Sequence, residues 1–323
     1  MVRQASAGPD NITHKKRKRR FGSDNWELTI LGLPVVAWFF LFSYLPMFGI
    51  IIAFKRYRPV GANFFDSLWK SDWVGFENFL FLFRSPDAAI IFRNTILYNA
   101  VFITLGISVA VTLAIMISML YSQVLAKVTQ TMIFLPHFLS WVVVGYFVFS
   151  FLSTDRGLVN NLLISMGRQP VQWYIDTAPW PYFLIFINLW KGMGYSMVVY
   201  LASIAGIDIS LYEAAAIDGA KKWQQVKHIT LPMLKPIITI MFILAVGRIF
   251  MSDFGLFYFV PRNSGPLFNV TQTVDVYVYN ALFRLNNIGM AAASGFTQSI
   301  AGFITIVSAN YIVRKLTPEN SLF

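Results

Sequence analysis

Six long apolar stretches alternate with polar ones along the chain, at about 28–54, 95–121, 130–152, 180–204, 235–259 and 293–313. Each reaches the roughly 20 residues that a helix needs to cross a hydrocarbon core about 30 Å thick. Lipid offers no water to backbone polar groups, so segments of this length imply helices. Pro34, Pro46, Pro136 and Pro236 fall inside or beside them and predict kinks or helix ends. The fold class expected is an all-α, six-span membrane bundle. The first stretch is too long for a signal-peptide core and no small-residue cleavage site follows it, so it is expected to stay as an anchor.

Composition agrees with this pattern. Of 323 residues, 56% are hydrophobic and only 13% charged, with a mean hydropathy of +0.58. The net charge of +11 is not spread like a nucleic-acid surface, because six basic residues crowd positions 15–20, just ahead of the first span. That run reads as a cytoplasmic topology anchor. With the N-terminus inside, inner segments hold 14 Lys and Arg against 10 in the longer outer loops. Both termini are then cytoplasmic, and so is the polar stretch 205–234. The outer loop 55–94 carries Trp69, Trp73, Phe76, Phe79, Phe81 and Phe83. It reads either as an interfacial aromatic helix or as a docking surface for an external partner.

The stretch 205–234 is the one polar loop with helix-forming character. Ser210 and Glu213 have capping-box spacing, Ala214, Ala215 and Ala216 favour helix, and Gly219 after Asp218 predicts the turn that ends it. A second helical run through Trp223 and Val226 is expected, closed by Leu231 and Pro232. An ordered helical knob between two membrane spans suits contact with a soluble partner. Glu213 either caps its own helix or meets a basic group on that partner.

Charges within spans are costly and usually functional. Lys191 lies near the middle of the fourth span; Arg248 and Asp253 lie in the fifth. Asn188, Lys191 and Tyr195 share one helix face. With Trp190 nearby, that polar stripe is a candidate lining for a solvated passage suited to sugar rings, and the two cations suggest an anionic substrate. The structural alternatives are that Lys191 or Arg248 pairs with Asp253 inside the bundle, or that these groups face a partner subunit. Gly192 and Gly194 predict close helix approach, and His137 beside Pro136 reads as a packing residue at a kink.

Several chemistries find no footing. There is no Cys, His14, His137 and His228 lack ligand spacing, and neither GxSxG nor GxxxxGK[ST] occurs. No catalytic residue, metal site or cofactor is therefore expected in this chain.

Glu213, Ala214, Ala215, Gly219, Ile229, Leu231 and Pro232 match EAA-x3-G-x9-I-x-LP at every fixed position. This resembles the EAA signature of bacterial ABC importer permeases. The match continues through Leu189–Tyr195 and Val199–Ala202, which look like the span before the signature in carbohydrate importers. Residues 273–279 and 309–311 look like the subgroup importing oligosaccharides or polysaccharide fragments, alginate being one such substrate. The resemblance implies a type I, maltose-type importer fold with a core at 95–315, preceded by a first span and external loop at 28–94 and flanked by tails at 1–27 and 316–323. It implies that the loop docks in an ATPase subunit, which binds ATP and Mg. It also implies a second permease, an external binding protein and an oligosaccharide substrate at the bacterial inner membrane. An ion-gradient-driven sugar transporter is the alternative, which would account for the buried charges but not for the ordered loop.

Overall fold

The computed structural model describes residues 23–60, 63–80, 84, 86–284 and 286–316. The basic run at 15–20, Phe81, Phe83 and the end at 317–323 lie outside the described residues. The chain divides into two compact units, 1–49 and 50–323.

The first unit holds α1 (Ser23–Phe39), which keeps Pro34 inside the helix and passes into a π-turn at Phe40–Tyr44. Its apolar side chains are exposed, Leu31 and Trp38 among them. That is the surface a lipid-facing helix presents, since lipid is as apolar as leucine.

The second unit begins with a two-residue antiparallel pair, β1 (Lys55–Arg56) on β2 (Asp72–Trp73), around α2 (Phe64–Lys70). The aromatic loop is therefore not one interfacial helix. Phe54 gathers Trp73, Phe76, Phe79 and Phe296 around itself with centroids 5.3–5.9 Å away, whereas Trp69 stays exposed.

The helices that follow are α3 (Pro86–Ser118), α4 (Gln123–Phe134), α5 (Trp141–Leu152), α6 (Leu158–Ser165) and α7 (Trp180–Ala205). Then come α8 (Ile209–Ile217), α9 (Lys222–Gln225), α10 (Leu231–Val246), α11 (Phe254–Phe259), α12 (Phe268–Thr271), α13 (Val274–Phe283) and α14 (Ile288–Leu316). Among the described residues, five helices are long and apolar enough to span a membrane, or six if one bent pair counts as a span. α3 and α7 make the most extensive helix contact. It closes where Ala110 and Ala114, both fully buried, let Met197 and Tyr200 come near. Small residues one turn apart permit that approach where no hydrophobic effect separates helix from lipid. A second cluster gathers around Trp180, Leu184, Leu256 and Phe257.

Two spans differ from the sequence expectation. The third, 130–152, is not straight: Gln123–Phe138 and Trp141–Leu152 meet at 95°. Pro136 sits in the 3-10 turn between them, where its missing N–H and fixed φ stop α4. The fifth, 235–259, is displaced. The helix runs from Lys222 to Val246, breaks, and resumes only as the short α11. Gly247, Arg248, Ser252 and Asp253 mark the break, polar residues that the overall apolarity of the run conceals.

That break would leave bare backbone within the bundle, which is tolerated only where protein satisfies it. Asn99 on α3 donates to the carbonyls of Ile249 and Met251 at 2.9 and 2.8 Å. Gln298 on α14 donates to that of Phe250 at 2.8 Å. Asp275 on α13 accepts from the Ser252 N–H at 2.6 Å and hydroxyl at 2.7 Å. Asp275 is thus half-buried in a polar cluster.

Candidate functional site

The loop 205–234 folds as two helices joined by a turn. Asp208, not Ser210, caps α8: its carboxylate accepts the Ser210 N–H at 3.0 Å, and the helix starts at Ile209. The expected capping box is displaced because an aspartate two residues upstream serves equally well as N-cap. The Ser210 N–H holds the Asp208 carboxyl below the usual carboxylate range. A depressed acid contributes while ionised, so this cap is intact at neutral pH and is lost as pH falls through its lowered pKa.

The far end of α8 closes as expected at Gly219, whose φ is +80°. The Ala220 N–H reaches the Ala215 carbonyl at 2.9 Å and the Gly219 N–H reaches that of Ala216 at 3.1 Å. Together they form a Schellman ending. A Cβ at 219 would meet nothing within 4 Å, so backbone conformation alone selects glycine. Gly219→Val is expected to cost about 2 kcal/mol locally and to lower uptake per ATP hydrolysed in reconstituted vesicles. Unchanged coupling would show that the turn has no such role.

Beyond the turn the structure departs from a loop closed by Leu231 and Pro232. α9 passes without interruption into α10 through a π-turn at Val226–Thr230. The Leu231 N–H bonds the Val226 carbonyl, which widens the helix by one residue just before Pro232. A proline ring clashes with the carbonyl four residues back, and the wider turn accommodates that clash. Pro232 then lies directly after that wide turn, at the start of α10. Ile229 is half-buried inside the π-turn. The Tyr212 and Thr230 hydroxyls share a hydrogen bond of 2.9 Å, which ties α8 to this helix.

The outer surface of this knob is unspent. Glu213, Ala214 and Asp218 are exposed, Ala215 half so, and the Glu213 carboxylate has no partner among the described residues. Apolar groups stand out beside it, Ile217 at 87% and Trp223 at 70% exposure.

The charges in the spans are arranged less simply than a direct ion pair. Lys191 Nζ donates to the His137 carbonyl at 2.9 Å, which the bend after α4 leaves without a helix partner. The same ammonium lies 5.0 Å from the Trp141 ring centroid. Trp141 Nε1 in turn donates to Asp253 Oδ2 at 2.9 Å, while Asp253 Oδ1 caps α11 through the Gly255 and Leu256 N–H groups. An indole therefore stands between the two charges, using its face for the cation and its edge for the anion. Arg248 lies in the break after α10, exposed and without a side-chain hydrogen bond or ion pair among the described residues.

On α7, Tyr195 stacks on His137 at 4.9 Å, so Lys191 and Tyr195 meet at the same bend; Asn188 is half-buried on their face. Trp190 packs against the cluster around Trp180 and Leu184. Of the two glycines, only Gly194 marks a close approach; Gly192 has nothing within 4 Å of an added Cβ. Among the described residues no group of three or more His, Cys, Asp or Glu could hold a metal ion.

Known proteins resemble this chain in sequence and fold. Residues 103–318 match the family described as "binding-protein-dependent transport system inner membrane component". The polygalacturonan/rhamnogalacturonan transport system permease protein YteP of Bacillus subtilis (strain 168) is 32% identical over 292 residues, 90% of this chain and 89% of its own. The crystal structure of a bacterial ABC transporter involved in the import of the acidic polysaccharide alginate has a chain of TM-score 0.81 and 30% identity, matched over 91% of this chain and 97% of that one. A related structure of a bacterial alginate ABC transporter, in complex with an alginate pentasaccharide-bound periplasmic protein, gives 0.80 and 30% over 91% and 96%. With the helical bundle and the family match covering more than half its length, this chain belongs to the binding-protein-dependent transport system inner membrane components, the permeases of ABC importers.

Proposed function

We propose that this chain is one of two permeases that carry an oligosaccharide bearing carboxylates across the bacterial inner membrane, with ATP hydrolysed by separate subunits. The observation that carries the proposal is the knob formed by α8 and the turn at Gly219. It is rigid, it leaves Glu213, Ile217 and Trp223 unspent, and an ordered surface of that kind suits a cleft in another protein. The coupling set is Glu213, Ala214, Ala215, Asp218, Gly219, Ile229, Leu231 and Pro232. In this reading the knob faces the cytoplasm, as do both termini, which the excess of Lys and Arg on that side supports.

The passage is lined from the α7 face with Asn188, Lys191 and Tyr195, and from the break with Arg248 and Asp253. Trp190 supports that face from behind. Lys191 is committed to His137 and Trp141, so the free cation nearest the break is Arg248. An acidic cargo is supported by the polygalacturonan and alginate systems to which this chain is similar. Gentle solubilisation from the native membrane should recover a second permease and an ATPase with this chain, and a binding protein loaded with acidic oligosaccharide should stimulate hydrolysis. Recovery of the chain without an ATPase would overturn the reading.

A further inference from the structure

A second polar site lies at the end of the fold away from α8. α7 runs from Trp180 to Ala205 and α8 follows, so Trp180 marks the far end. Tyr174 packs edge-on against Trp180 at 5.2 Å, and its carbonyl accepts from the Ser264 hydroxyl at 2.9 Å. The turn after α11 therefore sits at that end. A cavity of about 270 Å³ opens beside it, with Tyr146, Tyr258, Phe259, Arg262, Asn263 and Arg284 in its walls.

Three features define this cavity. The first is charge. Two guanidiniums line it, and the ion pairs among the described residues are Arg56–Glu77 and Lys70–Asp66, so neither arginine is neutralised. Arg262 is held 4.0 Å over the Phe149 ring, which positions the cation and leaves its charge in place.

The second is the backbone. Arg262 and Asn263 are consecutive residues with left-handed φ, +57° and +48°, a conformation that asparagine tolerates but that is unfavourable for arginine. Specific bonds impose it. The Arg262 N–H reaches the Phe259 carbonyl at 3.2 Å and the Asn263 N–H that of Tyr258 at 3.0 Å. The side-chain amides of Asn263 and Asn280 pair at 3.2 and 3.3 Å. The two backbone bonds are the Schellman ending of α11, which fixes Arg262 at its left-handed position on the cavity wall. The third is the lining. Tyr146, Tyr258 and Phe259 supply flat apolar faces beside few polar groups, the make-up of a small-molecule site.

We propose that this cavity reads the carboxylate of a uronate residue, the guanidinium forks taking the two oxygens and an aromatic wall taking the C–H face of the sugar ring. The proposal rests on the acidic-oligosaccharide reading above and adds the residues that would recognise the acid. A lipid phosphate would satisfy the arginines but has no use for the aromatic wall.

The test uses the assembled transporter and two probes, a uronate trisaccharide and the same trisaccharide with its carboxyls reduced. Direct binding to the solubilised complex without binding protein is measured for wild type, Arg262→Gln and Arg284→Gln. Each substitution is expected to weaken binding of the acidic probe about tenfold, the scale of one charged hydrogen bond, and to leave the neutral probe unchanged. Arg284→Gln guards against Arg262→Gln acting through the lost Phe149 contact. Equal acidic binding by all three proteins would overturn the cavity. So would loss of a co-purifying anionic lipid from the variants with sugar binding intact. A wild type that binds only the neutral probe would overturn the substrate reading itself, and is told apart because the acidic probe then fails to bind wild type as well as the variants.

Discussion

Glu213→Lys is expected to leave the protein folded and inserted while import falls at least tenfold and ATP hydrolysis persists. The two halves of that outcome have separate causes. Glu213 is exposed and its carboxylate has no partner among the described residues, and Asp208 rather than Glu213 satisfies the start of α8. Stability should therefore change by no more than about 0.5 kcal/mol, as for an ordinary surface residue. At an interface the same change inverts a charge. Truncating one partner of a buried charged pair costs roughly 2–5 kcal/mol, and reversing it adds repulsion. The knob would still be held by the Gly219 turn and the Tyr212–Thr230 bond, so the loss would lie in engagement and not in shape. Uptake and hydrolysis measured together in vesicles carrying the whole complex decide the matter. Wild-type uptake by the variant would remove Glu213 from the docking surface.

How much of this was legible in the sequence depends on how local the deciding interactions are. The fourth span, expected at 180–204, folds as Trp180–Ala205, because an unbroken apolar run between polar ends leaves no other solution in lipid. The turn at Gly219 was legible for the same reason: its bonds close within five residues. The displaced cap was a local competition between two good N-caps, and fixed spacing could not rank Asp208 above Ser210.

The break after Val246 was hidden, because it survives only through Asn99, Asp275 and Gln298. Those residues come from three other helices, and their bonds span 150, 23 and 48 residues of sequence. Its one local trace was the cluster of Gly247, Arg248, Ser252 and Asp253 inside an apolar run. The Lys191–Trp141–Asp253 chain was half legible. The charges stood out, whereas the tryptophan between them looked like one more apolar residue of the third span.

Gly194→Ala is expected to destabilise the assembled protein by about 1–3 kcal/mol, whereas Gly192→Ala, two residues away on the same helix, should be neutral or stabilising. At 194 an added Cβ would lie 2.3 Å from the Ile133 carbonyl oxygen and 2.7 Å from the Phe134 Cα. Both are backbone atoms of α4, so no side chain can swing aside and the helices must part, the usual penalty of overpacking. At 192 a Cβ meets nothing within 4 Å, and alanine gains up to about 1 kcal/mol of helix propensity over glycine. Thermal unfolding of the two variants side by side separates contact from propensity, and equal midpoints would show that α4 and α7 do not cross so closely. The consequence for the passage follows from position. Phe134 ends α4, and the next turn carries His137, whose carbonyl holds Lys191 and whose ring carries Tyr195. Parting the helices at Gly194 would draw that carbonyl from the ammonium, and with it the Trp141 ring that joins Lys191 to Asp253. Gly194→Ala should therefore lower uptake beyond what its loss of folded protein explains, because the crossing sets the bend on which the charged chain is built.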